Sequence, residues 1–109
     1  MNKNNKIQLK KILKNKAILI TGGAGSIGSS LTKTLLNYPV KSIRVFDNNE
    51  HALFKLSHSL DDSRVQPLLG DILNKDRVEL AVLDVDIIIH TAALKNIEIT
   101  EYNPIETID

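Results

Sequence analysis

Between an apolar run of β-type residues, Ala17 to Thr21, and a segment with helical period lie Thr21-Gly22-Gly23-Ala24-Gly25-Ser26-Ile27-Gly28. Glycines at this spacing suit the binding of a pyrophosphate. An early one, Gly22 or Gly23, makes the tight turn, Gly25 lets the backbone approach the anion, and Gly28 lets helix and strand pack closely. Free amides at the start of the following helix, together with its dipole, attract negative charge. No Gly-Lys-Ser/Thr follows, which excludes the mononucleotide phosphate loop of that type.

A second group sits where the next strands should end. Asp47 lies nineteen positions beyond Gly28 and is followed by Asn48. A carboxylate there accepts hydrogen bonds from adenosine ribose hydroxyls and repels a 2′-phosphate, which favours NAD over NADP. No lysine or arginine stands among Asn48, Asn49, Glu50 and His51 to clamp such a phosphate. The alternative role for Asp47, a turn or capping residue, stays open. Asp71, in Gly70-Asp71-Ile72, offers a carboxylate to the adenine amine at the rim of the same site, or else shapes a turn before a helix. His90 should end a strand at the carboxyl edge where open α/β sheets bind ligands. Satisfying backbone groups is favoured over catalysis for it. Thr91, Ala92 and Ala93 are small enough to let a cofactor lie close.

These residues need a scaffold, and the chain supplies short apolar strands alternating with longer helical segments, the pattern of βαβ units. Expected strands are Ala17–Thr21, Ser42–Phe46, Val65–Leu69 and Val85–Ile89, the last read as buried on both faces of a parallel sheet. The first helix is expected over Ser26–Asn37, burying Ile27, Leu31, Thr34, Leu35 and Tyr38 and ending before Pro39. A second begins near Glu50 after Asp47-Asn48-Asn49 and carries Leu53, Phe54, Leu56 and Leu60; a third follows an Asn74 cap and runs to Leu83. Beyond His90 the pattern is less regular until Asn103-Pro104, which resembles a helix start. The fold class is α/β, a Rossmann-type parallel sheet flanked by helices, amino-terminal half only.

With 109 residues, 42% hydrophobic and 25% charged, the chain has room for one core. It has no cysteine, so disulfides and thiolate metal sites are excluded. Its apolar runs fall far short of the roughly 18 residues of a membrane span. His51 and His58, seven apart on a helix, lack convergent ligands for a metal, and four scattered aromatic residues make no stacking platform for nucleic acid. Residues 1–15 form a basic leader, and residues 16–109 a partial NAD(P)-binding domain. Six lysines and no acidic residue fall in the first sixteen positions, leaving the remainder at −5 from a total of +1. A charge run of this kind is read as a solvated arm or helix. A cytoplasmic location is expected.

Taken together, the Thr21 to Gly28 loop, Val45-Phe46-Asp47-Asn48, Gly70-Asp71-Ile72, and His90-Thr91-Ala92-Ala93-Leu94-Lys95 followed by Glu101-Tyr102-Asn103-Pro104 resemble the extended short-chain dehydrogenase/reductase superfamily. Within it they are most similar to the polysaccharide-biosynthesis group of CapD-like proteins and UDP-N-acetylglucosamine 4,6-dehydratases, over residues 16–109. That group's pattern has histidine where Asn96 stands and proline where Glu98 stands.

The resemblance implies that Gly22, Gly25, Ser26, Ile27 and Gly28 hold pyrophosphate, Asp47 the ribose, Asp71 the adenine, and Ala92 and Ala93 the cofactor backbone, with Asn48 and Ile72 also counted as cofactor-binding. Lys95 is placed toward a UDP-sugar. The implied cofactor is NAD, with NADP left open, and the implied parent is a homo-oligomer without a nucleic-acid partner. The implied reaction moves hydride from sugar carbon 4 to the nicotinamide, eliminates water across carbons 5 and 6, and returns hydride to carbon 6. Its base in this superfamily is a tyrosine with a lysine nearby, the cation lowering the phenol's pKa. Tyr38 has Ser42 four positions on and Tyr102 has Glu106, so the catalytic pair is expected beyond Asp109 and no catalytic residue is assigned. A nucleotide-sugar epimerase or reductase, or a non-catalytic NAD-sensing module, are the alternative readings.

Overall fold

The run Ala17-Ile18-Leu19-Ile20-Thr21 is buried at every position, as only a central strand covered on both faces can be. In the computed structural model, which describes residues 3–91 and 98–101, this run is strand β1 (Ala17–Thr21). Around it are α1 (Lys3–Leu13), α2 (Ser26–Leu35), β2 (Ser42–Asp47), α3 (Glu50–Leu60), β3 (Val65–Leu69), α4 (Lys75–Ala81), β4 (Ile87–His90) and β5 (Glu98–Glu101). The sheet order is β3-β2-β1-β4-β5. The first four strands in this order run parallel, and β5 is antiparallel to β4. The chain reverses its direction of progress between β1 and β4, the point at which a doubly wound sheet opens a crevice at its carboxyl edge.

Period-two alternation divides the core. Ile18 and Ile20 of β1, Ile43 and Val45 of β2, and Ile89 of β4 face α2 and α3, packing with Leu35, Leu53 and Leu56. Leu19, Phe46 and Ile88 point to the other face, against Ala81 of α4 and Val85. Ile18, Ile20, Ile43 and Val45 are fully excluded from solvent, each contributing about 1.5–3 kcal/mol by burial. The basic leader forms α1, anchored on the first cluster through Leu13 with Leu9 beside it, while Ile7 and Ile12 stay exposed. Among the described residues no helix is long and apolar enough to cross a membrane.

Local chemistry sets the ends. Asn49 caps α3 by accepting the Ala52 N–H at 3.0 Å, and Asn74 caps α4 by accepting that of Arg77 at 3.2 Å.

Several boundaries and faces differ from those the sequence suggests. The face of α2 that is buried carries Gly28, Thr32 and Leu35, whereas Ile27 and Thr34 are exposed. Thr32 can be buried because its hydroxyl donates to the Gly28 carbonyl at 2.8 Å. Phe54 is exposed on α3. Strand β4 starts at Ile87 because Asp86 interrupts the apolar run: its carboxylate accepts the Ala17 N–H at 2.8 Å, and its own N–H donates to the Ala17 carbonyl at 2.8 Å. The stretch after His90 includes β5, paired on β4 from His90↔Glu98 to Ile87↔Glu101. The expected helix start at Asn103-Pro104 lies outside the described residues.

Candidate functional site

Register brings the strand tips into one row. Thr21 pairs with Phe46 on one side and with His90 on the other, and Phe46 pairs with Leu68. The residues immediately beyond this row, Gly22, Asp47 and Thr91, therefore meet at the carboxyl edge, where two adjoining clefts share Gly22, Asp47 and Asn48.

The glycine loop divides its labour. Gly22 makes the turn, with φ 67, and its N–H donates to the Phe46 carbonyl at 2.8 Å. A Cβ on Gly28 would stand 2.5 Å from the Gly23 Cα, so this glycine is required by contact of the helix with the loop. Gly25 differs: a Cβ there would meet only the Gly22 carbonyl oxygen, at 3.3 Å. Its missing side chain leaves open the cleft bounded by Gly22, Ala24, Ser26, Ile27 and Asp47, of volume ≈ 510 Å³.

Helix α2 opens directly on this cleft. Its N-cap is Gly25, which has no side chain to cap it, and there is no acidic residue in its first turn. The first amide tied back is that of Ser29, to the Gly25 carbonyl at 2.8 Å. The amides of Ser26, Ile27 and Gly28 are thus left without an intrahelical acceptor, and the positive end of the dipole is uncompensated. This donor set fits a pyrophosphate.

Asp47 links the two clefts. One carboxylate oxygen accepts the Ala24 N–H at 3.0 Å, and the other accepts the Asn49 N–H at 3.0 Å. Each oxygen keeps a further lone-pair direction, so the group is oriented by the loops and still able to accept from a vicinal diol. The capping and ligand roles that the sequence left as alternatives are compatible at this residue. Asn48 is exposed beside it.

The second cleft lies between the tips of β1, β2 and β3, lined by Thr21, Phe46, Gly70, Asp71 and Ile72. Asp71 turns the chain, accepting the Leu73 N–H at 2.9 Å on its side chain and the Asn74 N–H at 2.9 Å on its carbonyl. Gly70 passes over the Phe46 ring so closely that a Cβ would come within 2.5 Å of it. His90 bonds through Nδ1 to the Thr21 hydroxyl at 2.8 Å. It tethers β4 to β1 and lines neither cleft. Ala92, Ala93 and Lys95 lie outside the described residues.

Ala24, Asn49 and Ala52 also line the first cleft, and the Phe46 ring floors the second. None of them was singled out from the sequence as a site residue. Position alone could have pointed to them, since each lies within a few residues of Gly25 or Asp47. Among the described residues no group of three or more metal-type ligands converges.

Residues 18–109 match the polysaccharide biosynthesis protein family. The chain is 48% identical over 95 residues to an uncharacterized membrane protein of Methanocaldococcus jannaschii, covering 87% of this chain and 28% of that protein. It is 42% identical over 94 residues to the inverting UDP-N-acetylglucosamine 4,6-dehydratase of Campylobacter jejuni, covering 85% of this chain and 28% of the enzyme. Among solved structures, the UDP-glucuronic acid 4-epimerase of Bacillus cereus, in complex with UDP-glucuronic acid and NAD, superposes with TM-score 0.57 at 34% identity, over 69% of this chain and 26% of that one. The chain thus spans just over a quarter of the length of these relatives.

Proposed function

The chain belongs to the polysaccharide biosynthesis protein family, within the extended short-chain dehydrogenase/reductase superfamily, and from that premise we propose that it is the NAD-binding part of a nucleotide-sugar 4,6-dehydratase, a lyase. The pyrophosphate rests on the amides of Gly25, Ser26, Ile27 and Gly28 beyond the Gly22 turn. Asp47 and Asn48 take the adenosine ribose, and Asp71 and Ile72 the adenine. The resemblance assigns Ala92 and Ala93 to the cofactor and Lys95 to a UDP-sugar. When bound, the nicotinamide supplies the hydride acceptor and donor.

The observation that carries this reading is the placement of one carboxylate, Asp47, between the glycine loop and the β2–α3 turn, with the uncapped start of α2 beside it. A diol acceptor next to a pyrophosphate cradle matches an adenosine diphosphate moiety better than either feature alone. Isothermal titration with NAD and NADP tests the cofactor, and tighter NADP binding would remove Asp47 from the ribose. Incubation of a parent protein that carries the expected tyrosine-lysine pair with UDP-N-acetylglucosamine tests the reaction, the expected product being a 4-keto-6-deoxy sugar.

A nucleotide-sugar epimerase is the second reading. It is supported by the 34% identity to the UDP-glucuronic acid 4-epimerase of Bacillus cereus. An epimerised product with carbon 6 still hydroxylated would establish it in place of the first.

A further inference from the structure

We propose that Thr91 is a positioning residue for the glycine loop: its hydroxyl ties the Gly22 turn to the tip of β4 and so sets the loop's placement for a pyrophosphate. The inference rests on the cofactor reading above and adds to it a residue that acts through the loop.

Thr91 is the first residue after β4 and is only 5% exposed, in the wall of the loop cleft. Its backbone N–H donates to the Thr21 carbonyl at 2.9 Å, continuing the pairing of β4 with β1. Its side chain does something strand pairing does not require. The hydroxyl lies 2.8 Å from the Thr21 carbonyl oxygen and 3.1 Å from that of Gly22, so its one proton is shared between two successive carbonyls at the turn. The Gly22 carbonyl also accepts the Gly25 N–H at 3.1 Å. Gly25 is the N-cap of α2. A continuous set of hydrogen bonds therefore runs from β4 through Gly22 to the residue at which the anion-facing amides begin.

This tie crosses the gap between β1 and β4, where the strand order reverses and a ligand enters. Alanine, valine or leucine at this position would keep the backbone pairing and lose the link to Gly22. Removing the hydroxyl orphans neither carbonyl, because Thr21 keeps the Thr91 N–H and Gly22 keeps the Gly25 N–H. Stability should then change little, while the loop loses its lateral restraint. The adenosine half of the site is built from Asp47 and Asp71 at the tips of β2 and β3, whose side-chain hydrogen bonds go to Ala24, Asn49 and Leu73 and not to Thr91.

The test is Thr91→Val, Thr91→Ser and Thr91→Ala in the full chain, titrated with ADP-ribose by calorimetry and with adenosine by NMR. Losing one hydrogen bond of ordinary strength predicts a weakening of ADP-ribose binding by roughly 3- to 10-fold in Thr91→Val. Adenosine affinity should stay within about twofold, and Thr91→Ser, which keeps the hydroxyl, should recover wild-type binding of ADP-ribose. Thr91→Ala gives the same comparison should the valine variant not fold. Unchanged ADP-ribose affinity, equal weakening of both ligands, or failure of serine to rescue would each overturn the role of Thr91. Failure of the wild-type chain to bind ADP-ribose would overturn the cofactor reading and this inference together.

Discussion

The carboxylate of Asp47 accepts the backbone N–H of Ala24 at 3.0 Å, joining the tip of β2 to the glycine loop across twenty-three residues of sequence. A single side chain thereby sets the glycine loop, the proposed pyrophosphate cradle, against its own carboxylate, the proposed ribose acceptor. Replacing Asp47 with asparagine leaves a carbonyl oxygen for one amide and removes the charge. On the proposed ribose role, NAD affinity should fall by about tenfold, since hydrogen bonds to charged groups are worth about 1.5–3 kcal/mol, and the ratio of NAD to NADP affinity should fall with it. Calorimetric titration of both cofactors measures the two effects at once.

The glycines predict opposite outcomes for neighbouring positions. Gly28→Ala puts a Cβ 2.5 Å from the Gly23 Cα and 2.8 Å from the Gly22 carbonyl oxygen, so helix and loop must separate. We expect a loss of about 1–3 kcal/mol in stability, as for other overpacked sites, read as a lower thermal midpoint. Gly25→Val points its branches into the open cleft and should abolish NAD binding while helical circular dichroism is retained. Undiminished affinity in Gly25→Val would separate the loop from the cofactor.

Much of this arrangement is legible in the sequence because it rests on short-range rules. The glycine spacing, the acid nineteen positions beyond Gly28 and the Asn74 cap each depend on a few adjacent residues. The rest depends on partners far along the chain. Thr32 is buried and Thr34 exposed because α2 turns its Gly28-Thr32-Leu35 face to the sheet, and a threonine count cannot distinguish them. Asp86 looks like an interruption of an apolar strand until its bond to Ala17, sixty-nine residues away, is known. The role of Thr91 is hidden for the same reason, since its hydroxyl acts on Thr21 and Gly22.

Acid stability should depend on Asp62. Its side-chain hydrogen bond with Arg64, reinforced by the Arg64 backbone N–H, holds its carboxyl below the usual aspartate range. A carboxyl with a lowered folded-state pKa stabilises the fold above its unfolded pKa, and that contribution is lost as pH falls through the folded value. The window therefore lies below the ordinary value of 3.8. Arg64 also donates to the Leu36 and Tyr38 carbonyls at the end of α2, so the loss should be felt there. Asp62→Asn should lower the thermal midpoint at neutral pH, and the difference from wild type should shrink as pH falls below 3.8, in melts followed across the acid range. Parallel curves at every pH would show that the pair contributes nothing through protonation.

Arg44 provides a change in stability that should leave the site untouched. Its Nη1 donates to the carbonyls of Leu80, Ala81 and Leu83 at 3.3, 2.8 and 3.0 Å, gathering carbonyls at and just beyond the end of α4. A cation at a helix carboxyl terminus also complements the dipole. Helix α4 runs back from the carboxyl edge of the sheet, so this clamp lies at the end opposite the glycine loop. Arg44→Met keeps most of the aliphatic stem and deletes the donor, which should cost about 1 kcal/mol after allowance for partial exposure. Hydrogen exchange should quicken in the last turn of α4, while cofactor affinity in the folded protein stays within about twofold of wild type, a difference worth less than about 0.5 kcal/mol. A weakening of NAD binding as large as that of Asp47→Asn would mean that the carboxyl edge is not insulated from the far end of the sheet. The row of strand tips would then no longer account for the site by itself.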